Sequence, residues 1–161
     1  MAHIADLRFD ETTWKAGSEL RRSDWKVLVE DLLEQGNFTD AVAGRHLLAT
    51  VTSESVLFEA LDKEGFVKHD VRLALALLAE PLREYAAIIC RLDQGASEND
   101  GSWFEAMDMA KKVVHDRATS ILSRAVGSLS ADPRTVRKLF SLLFALVKDT
   151  TKTQHARRHR S

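Results

Sequence analysis

Four residues on one short stretch, Glu105–His115 (EAMDMAKKVVH), are of types that can do chemistry: Asp108, Lys111, Lys112 and His115. On a helix Asp108, Lys112 and His115 share a face, because they fall one turn and two turns apart, and Lys111 closes the gap between them. Such a face could hold an anion, with Lys112 as the point charge and His115 as donor or proton carrier. Trp103, just upstream beside a polar loop, could add an aromatic wall to it. An ordinary solvated helix face uses the same residues, and an exposed Asp–Lys pair at this spacing contributes only about 0.2–0.5 kcal/mol.

Other chemistries find less support. A metal would have to recruit His46 or His69 from distant parts of the chain, since none of the expected helices supplies a Glu-x-x-His or His-x-x-x-His pair, and neither a metal nor a cofactor is expected. There is no Gly-x-Ser-x-Gly elbow, and neither Gly95-Ala96-Ser97 nor Gly101-Ser102 carries the glycine-lysine ending of a phosphate loop. Cys90 is the single cysteine; it is expected on the inward side of its helix as an inert core residue, and it excludes an intrachain disulfide. No catalytic residue is assigned. Arg21, Arg22, Arg134, Arg137 and Lys138 could meet nucleic acid, but the acidic body opposes this, so no nucleic-acid partner is expected.

The elements that must position these residues follow from periodicity. Ile4–Phe9 alternates as a short edge strand. Trp25, Leu28, Val29, Leu32 and Leu33 recur at helix spacing, with Ser23 placed to cap and Gly36 to stop the helix. Arg45–Val51 and Ser55–Leu61 read as strands around a turn at Thr52–Glu54, and a second turn follows at Asp62–Gly65. Val71, Leu73, Leu75 and Leu77 alternate as a third strand; Leu and Ala also suit a helix, but Pro81 fits the first turn of a following helix, Pro81–Arg91, and would break one running from Asp70 to Leu92. That helix turns Leu82, Tyr85, Ala86 and Ile89 inward. After a polar loop at Asp93–Gly101, Ser102 and Glu105 have capping-box spacing for the helix carrying the polar cluster, which continues or restarts through Ile121, Leu122, Ala125 and Val126. Asp132–Pro133 starts a last helix to about Val147, apolar around most of its circumference.

The expected architecture is one α+β domain over residues 1–149, a small antiparallel three-stranded sheet packed against about four helices, followed by a basic disordered tail over 150–161. The chain has 161 residues, 45% apolar and 29% charged, enough for one sizeable core. Residues 1–130 carry fifteen Lys/Arg against twenty-two Asp/Glu, whereas 131–161 carry eight against two, so the body is acidic and the end basic. Acidic residues interrupt the N-terminal segment where a signal peptide would need an apolar run, and no stretch reaches the roughly 20 apolar residues of a membrane span. A cytoplasmic location without membrane contact is the expectation.

The string EAMDMAKK-x-x-H followed by DPRTVRKLFSLLFAL resembles the C-terminal signature of a family of small uncharacterised alphaproteobacterial proteins. LRFDETTW, VLVEDLLEQGNF and EPLREYAAIICRL extend the likeness upstream, over residues 7–147. The family's signature runs acidic-Ala-Ile-Asp-Met-Gly-Arg-Arg-Gly-x-His-Asn-Glu-Gly. Glu105, Ala106, Asp108, Met109 and His115 agree with it, and Lys111 and Lys112 keep its charge. Its glycines fall here at Ala110, Val113 and Ala118, and its Asn-Glu at Asp116–Arg117; Ala110 and Val113 favour an ordinary continuous helix. The resemblance implies a compact bacterial domain and supplies no activity.

Two functions are therefore carried forward. The first is a non-enzymatic interaction or regulatory domain that self-associates through its last helix, with Leu139, Phe140, Leu143, Phe144 and Val147 at the interface and itself or another protein as partner. The second is a small-molecule or phosphoryl-anion binding protein, hydrolases included, that uses Trp103, Asp108, Lys111, Lys112 and His115.

Overall fold

A computed structural model describes residues 2–95 and 101–159, with side chains described as far as 147. The chain runs β1 (Asp6–Phe9), α1 (Glu11–Ala16), α2 (Glu19–Gln35), β2 (His46–Val51), β3 (Ser55–Leu61), β4 (Val67–Ala74), a 3-10 turn (Leu75–Leu78), α3 (Ala79–Gly95), α4 (Gly101–Ala125) and α5 (Pro133–His159). The class is α+β as expected, but among the described residues the sheet is mixed and four-stranded, in the order β1-β2-β3-β4, and five helices accompany it. The fourth strand is β1, within the segment expected as a short edge strand, and it joins the sheet by pairing parallel to β2. Two helices intervene between them, and a crossover of that kind returns the chain in the same direction, whereas the tight turns of β2–β3 and β3–β4 reverse it. The basic tail expected over 150–161 lies outside the residues whose side chains are described.

Local chemistry explains the boundaries. Asp10 caps α1 by accepting from Thr13 N at 3.0 Å, and Thr13 Oγ in turn accepts from Val51 N at 3.0 Å, tying α1 to β2. Ser18, not Ser23, caps α2, with Arg21 N donating to its hydroxyl at 3.2 Å. The first turn of α2 buries nothing, Leu20 being 74% exposed, so apolar spacing starts the helix too late. Gly36 ends it for want of space rather than for its torsions: a Cβ there would lie 2.3 Å from Leu32 O and 2.6 Å from the Phe38 ring. Thr52 shapes the first hairpin by accepting from Ser55 N at 3.0 Å. Asp62 shapes the second, accepting from Phe66 N at 2.9 Å and Glu64 N at 3.0 Å, and these amides hold its carboxyl below its ordinary range.

The alternation expected over 71–77 ends earlier. Val71 and Leu73 are buried in β4, but the chain then winds through the 3-10 turn, burying Leu78 and leaving Leu77 56% exposed. Pro81 does fall in the first turn of its helix. Cys90 is exposed, contrary to expectation; α3 turns Pro81 and Ile88 inward, a phase that points residue 90 to solvent. Ser102 lies inside α4 and so does not cap it, and the helix continues unbroken to Ala125. Asp132 caps α5, accepting from Thr135 N at 3.3 Å, Thr135 Oγ at 2.7 Å and Asn37 Nδ2 at 3.4 Å.

One core joins all of this. The inner face of the sheet (Leu7, Leu47, Ala49, Val56, Phe58, Ala60, Val71 and Leu73) shares it with Trp25, Val29 and Leu32 of α2, Ala118 and Leu122 of α4, and Val136, Leu139, Phe140, Leu142, Leu143 and Leu146 of α5. The intervening sheet residues are half-exposed or exposed, the pattern of an antiparallel-type sheet wet on one side.

Candidate functional site

Helix α4 is oriented by Val114, Ala118, Thr119 and Leu122, which it buries. That phase decides where the polar cluster goes. Asp108 and Lys112 stand in solvent and Lys111 is half-exposed. His115 turns inward instead, its ring 5.8 Å from Tyr85 and 4.9 Å from Phe140, both edge-on, with Nε2 3.5 Å from Ser141 Oγ. Lys111 Nζ lies 6.0 Å from the Tyr85 ring centre. The structure therefore brings Lys111 and His115 together at Tyr85 and leaves Asp108 and Lys112 apart from them.

Burial lowers the His115 pKa, Arg137 and Lys111 lower it further, and Asp116 opposes them. The lowered value favours the neutral ring, which lies edge-on to aromatics from α3 and α5, and this suits packing better than proton carriage. Around it the ion pairs Arg137–Asp116 and Arg117–Glu84 link α5 to α4 and α4 to α3. Trp103 is half-exposed and meets its neighbour Phe104 edge-on at 4.9 Å.

Of the residues expected to form an interface on the last helix, three lie inside the fold and two at its margin. Leu139, Phe140 and Leu143 are each 0% exposed, enclosed by the chain's own helices, and Phe144 and Val147 are half-buried. The apolar surplus of α5 is used inside one copy. Exposure occurs on α4 instead, at Met109 (70%) and Val113 (63%).

Two clefts lie away from the polar cluster. One, of about 460 Å³, is lined by Leu77, Arg117, Ser120, Ile121, Arg124 and Ala125. The other, of about 370 Å³, runs along β1 between that strand, Trp14 of α1, and Lys26, Val29, Glu30 and Leu33 of α2. Trp14 stacks on Phe9 at 6.2 Å and meets Trp25 edge-on at 6.2 Å, while Arg22 and Lys26 lie 5.3 and 5.6 Å from its ring. Sequence spacing marks the edge strand but not this cleft, which forms only when that strand comes to lie beside Trp14 and α2. Among the described residues no helix is long and apolar enough to cross a membrane.

Residues 1–149 match the model of the uncharacterised protein family UPF0262. The chain is a member of UPF0262. Relatives bearing the name UPF0262 protein include one from Jannaschia sp., 29% identical over 91% of this chain and 97% of the relative. Another, from Sphingopyxis alaskensis, is 30% identical over 75% of this chain and 78% of its own length. A third, from Paracoccus denitrificans, is 29% identical over 89% of this chain and 94% of its own. No solved structure matches. The UPF0262 match spans every element through residue 149, from β1 onward, so the sheet edge as well as the polar helix belongs to the family region.

Proposed function

We propose that the protein is a non-enzymatic cytoplasmic interaction domain that pairs with a second copy of itself through the outer face of α4. The observation that carries this reading is the pair Met109 and Val113, one helical turn apart and 70% and 63% exposed, on a helix whose opposite face is fully committed to the core. Two large apolar side chains in a row on one helix face are more than scattered surface hydrophobics.

Charge favours a second copy as occupant. Lys112 and Asp116 flank Val113 on the same side of the row. In an antiparallel pair with its twofold axis midway between Lys112 and Asp116, each Lys112 would face Asp116 of the other copy, twice over, sharing that carboxylate with Arg137. Light scattering across a concentration series tests this. The expected result is a mass that doubles with concentration and stays at one chain in Val113→Asp, with the melting temperature of the dilute single chain unchanged. A protein that remains a single chain up to about 100 µM, where even weak pairing would register, overturns the reading.

A further inference from the structure

We propose that the cleft between β1 and α2 is a strand-addition site, taking an extended peptide segment of another protein as a fifth strand beside β1. The reasoning begins with hydrogen bonds. β1 is the terminal strand of the sheet, so one side of its backbone lacks a strand partner. Asp10 N–H donates inward, to Ala49 O at 3.0 Å. Backbone groups alternate sides along a strand, so Phe9 and Leu7 direct their amides and carbonyls outward.

The outward amide of Leu7 has only a local substitute. It donates to Oδ1 of the preceding residue, Asp6, at 2.8 Å, while Arg8 Nε holds the other oxygen of the same carboxylate at 2.6 Å. A carboxylate folded over its own strand is a guard that an incoming carbonyl can displace; it completes no ladder.

The second component is the wall opposite. All four residues of β1 line the cleft, and across from them stand Trp14, Val29 and Leu33, with Lys26 and Glu30 at the rim. An edge strand facing a helix across an apolar groove is the arrangement in which an extended peptide gains affinity from main-chain bonds and specificity from alternate side chains. Phe9 stacks on Trp14, and the buried Trp25 meets both rings from the core side. At about 370 Å³ the cleft has room for a few side chains from one extended segment, near the small end of ligand pockets. A groove of that volume suits one extended segment and not the packed sheet of a second copy. The occupant is therefore a single peptide with large apolar side chains at alternating positions.

The experiment is selection of a displayed random-heptapeptide library on the full-length chain, followed by affinity measurement with the enriched peptides. Enriched sequences should carry apolar residues two apart. Methylating their backbone nitrogens one at a time should abolish binding at alternate positions only, since alternate amides point at β1. Leu33→Glu should weaken binding at least tenfold, whereas Val113→Asp, which disrupts only the proposed pairing through α4, should leave it intact. Asp6→Ala should tighten binding about fivefold, the worth of one net backbone hydrogen bond released from its local partner. Exchange of the Leu7 and Phe9 amides with solvent should slow when peptide is bound, a readout that survives even if Leu33→Glu folds poorly. No enrichment, loss of binding at every methylated position alike, or binding indifferent to both Leu33→Glu and Asp6→Ala would each overturn the proposal.

Discussion

Helices α5 and α4 pack against each other and treat their apolar residues in opposite ways. Val136, Leu139, Phe140, Leu142, Leu143 and Leu146 of α5 are all 0% exposed, because α1, α2 and α4 pack around the helix and Tyr85 of α3 meets its Phe140 edge-on. α4 has no apolar run as dense as Leu139–Val147 of α5, yet it leaves Met109 and Val113 in solvent, since α3 and α5 cover one side of it and nothing described covers the other. Apolar content alone would make α5 the sticky helix. What decides availability is the number of neighbours, and a helix apolar on most sides becomes the hub of a core when the fold supplies elements for each side.

The sharpest way to break this contrast is at the hub. Phe140→Ala removes a fully buried ring that Tyr85 and His115 both contact edge-on, and should cost about 3–5 kcal/mol in urea unfolding. A cost below about 1 kcal/mol would mean that α5 is not enclosed within one copy.

A smaller effect is expected where α5 is anchored. Asp132→Ala removes the cap and its links to Thr135 and Asn37, a loss of about 0.5–2 kcal/mol. The cap also has a pH signature. Hydrogen bonds led by the Thr135 hydroxyl hold the Asp132 carboxyl below its ordinary range, so the folded state resists protonating it. Its contribution is complete above about pH 4 and is lost as pH falls through the lowered folded value. Chemical denaturation at pH 6 and pH 3 should show a smaller acid loss in Asp132→Ala than in the parent, the Asp62 turn contributing acid sensitivity to both.

How much of this the sequence displays depends on whether the signal is local. Asp132–Pro133 and Gly36 mark helix ends where the structure has them, and the turns at Thr52 and Asp62 are written in side chains that bond to their own backbone. Ser18 escapes notice because the turn it caps faces solvent, and Cys90 is misplaced because a short helix admits two phases until its neighbours choose one. Long-range facts are harder still. Nothing in Ile4–Phe9 says that its partner will be parallel, and the β1–α2 cleft exists only through that pairing. For the polar cluster, residue types are legible and their joint use is not: the burial of Val114, Ala118 and Leu122 rotates His115 inward while Asp108 and Lys112 stay outside.

His115 offers a finer test of the α4–α5 seam. The ring faces Tyr85 from α3, Lys111 and Asp116 from α4, and Phe140, Ser141 and Arg137 from α5. Its folded pKa is lowered, burial being the largest cause. An unfolded chain therefore takes up the proton first, at about pH 6.5, and stability that is complete above that value declines as pH falls through the folded pKa. The melting temperature should drop between pH 7.5 and pH 5 in the parent and drop less in His115→Gln. A slope that survives the substitution would place the titrating group elsewhere.

The smallest expected effect on stability falls on the open side of α4, and it sharpens the contrast most. Val113 is 63% exposed, so Val113→Ser removes little buried surface and should change unfolding free energy by less than about 0.5 kcal/mol. Burial in a paired state would be another matter, because the lost methyls would then have been desolvated against the second copy, and the pairing constant should weaken while the single chain stays as stable as before. Measuring both quantities on one variant separates the two roles of an apolar residue: Phe140 holds one copy together, whereas Val113 is left to hold two. If Val113→Ser instead destabilises the dilute single chain by as much as a core substitution would, the outer face of α4 is covered within one copy, and both the contrast with α5 and the proposed pairing fail together.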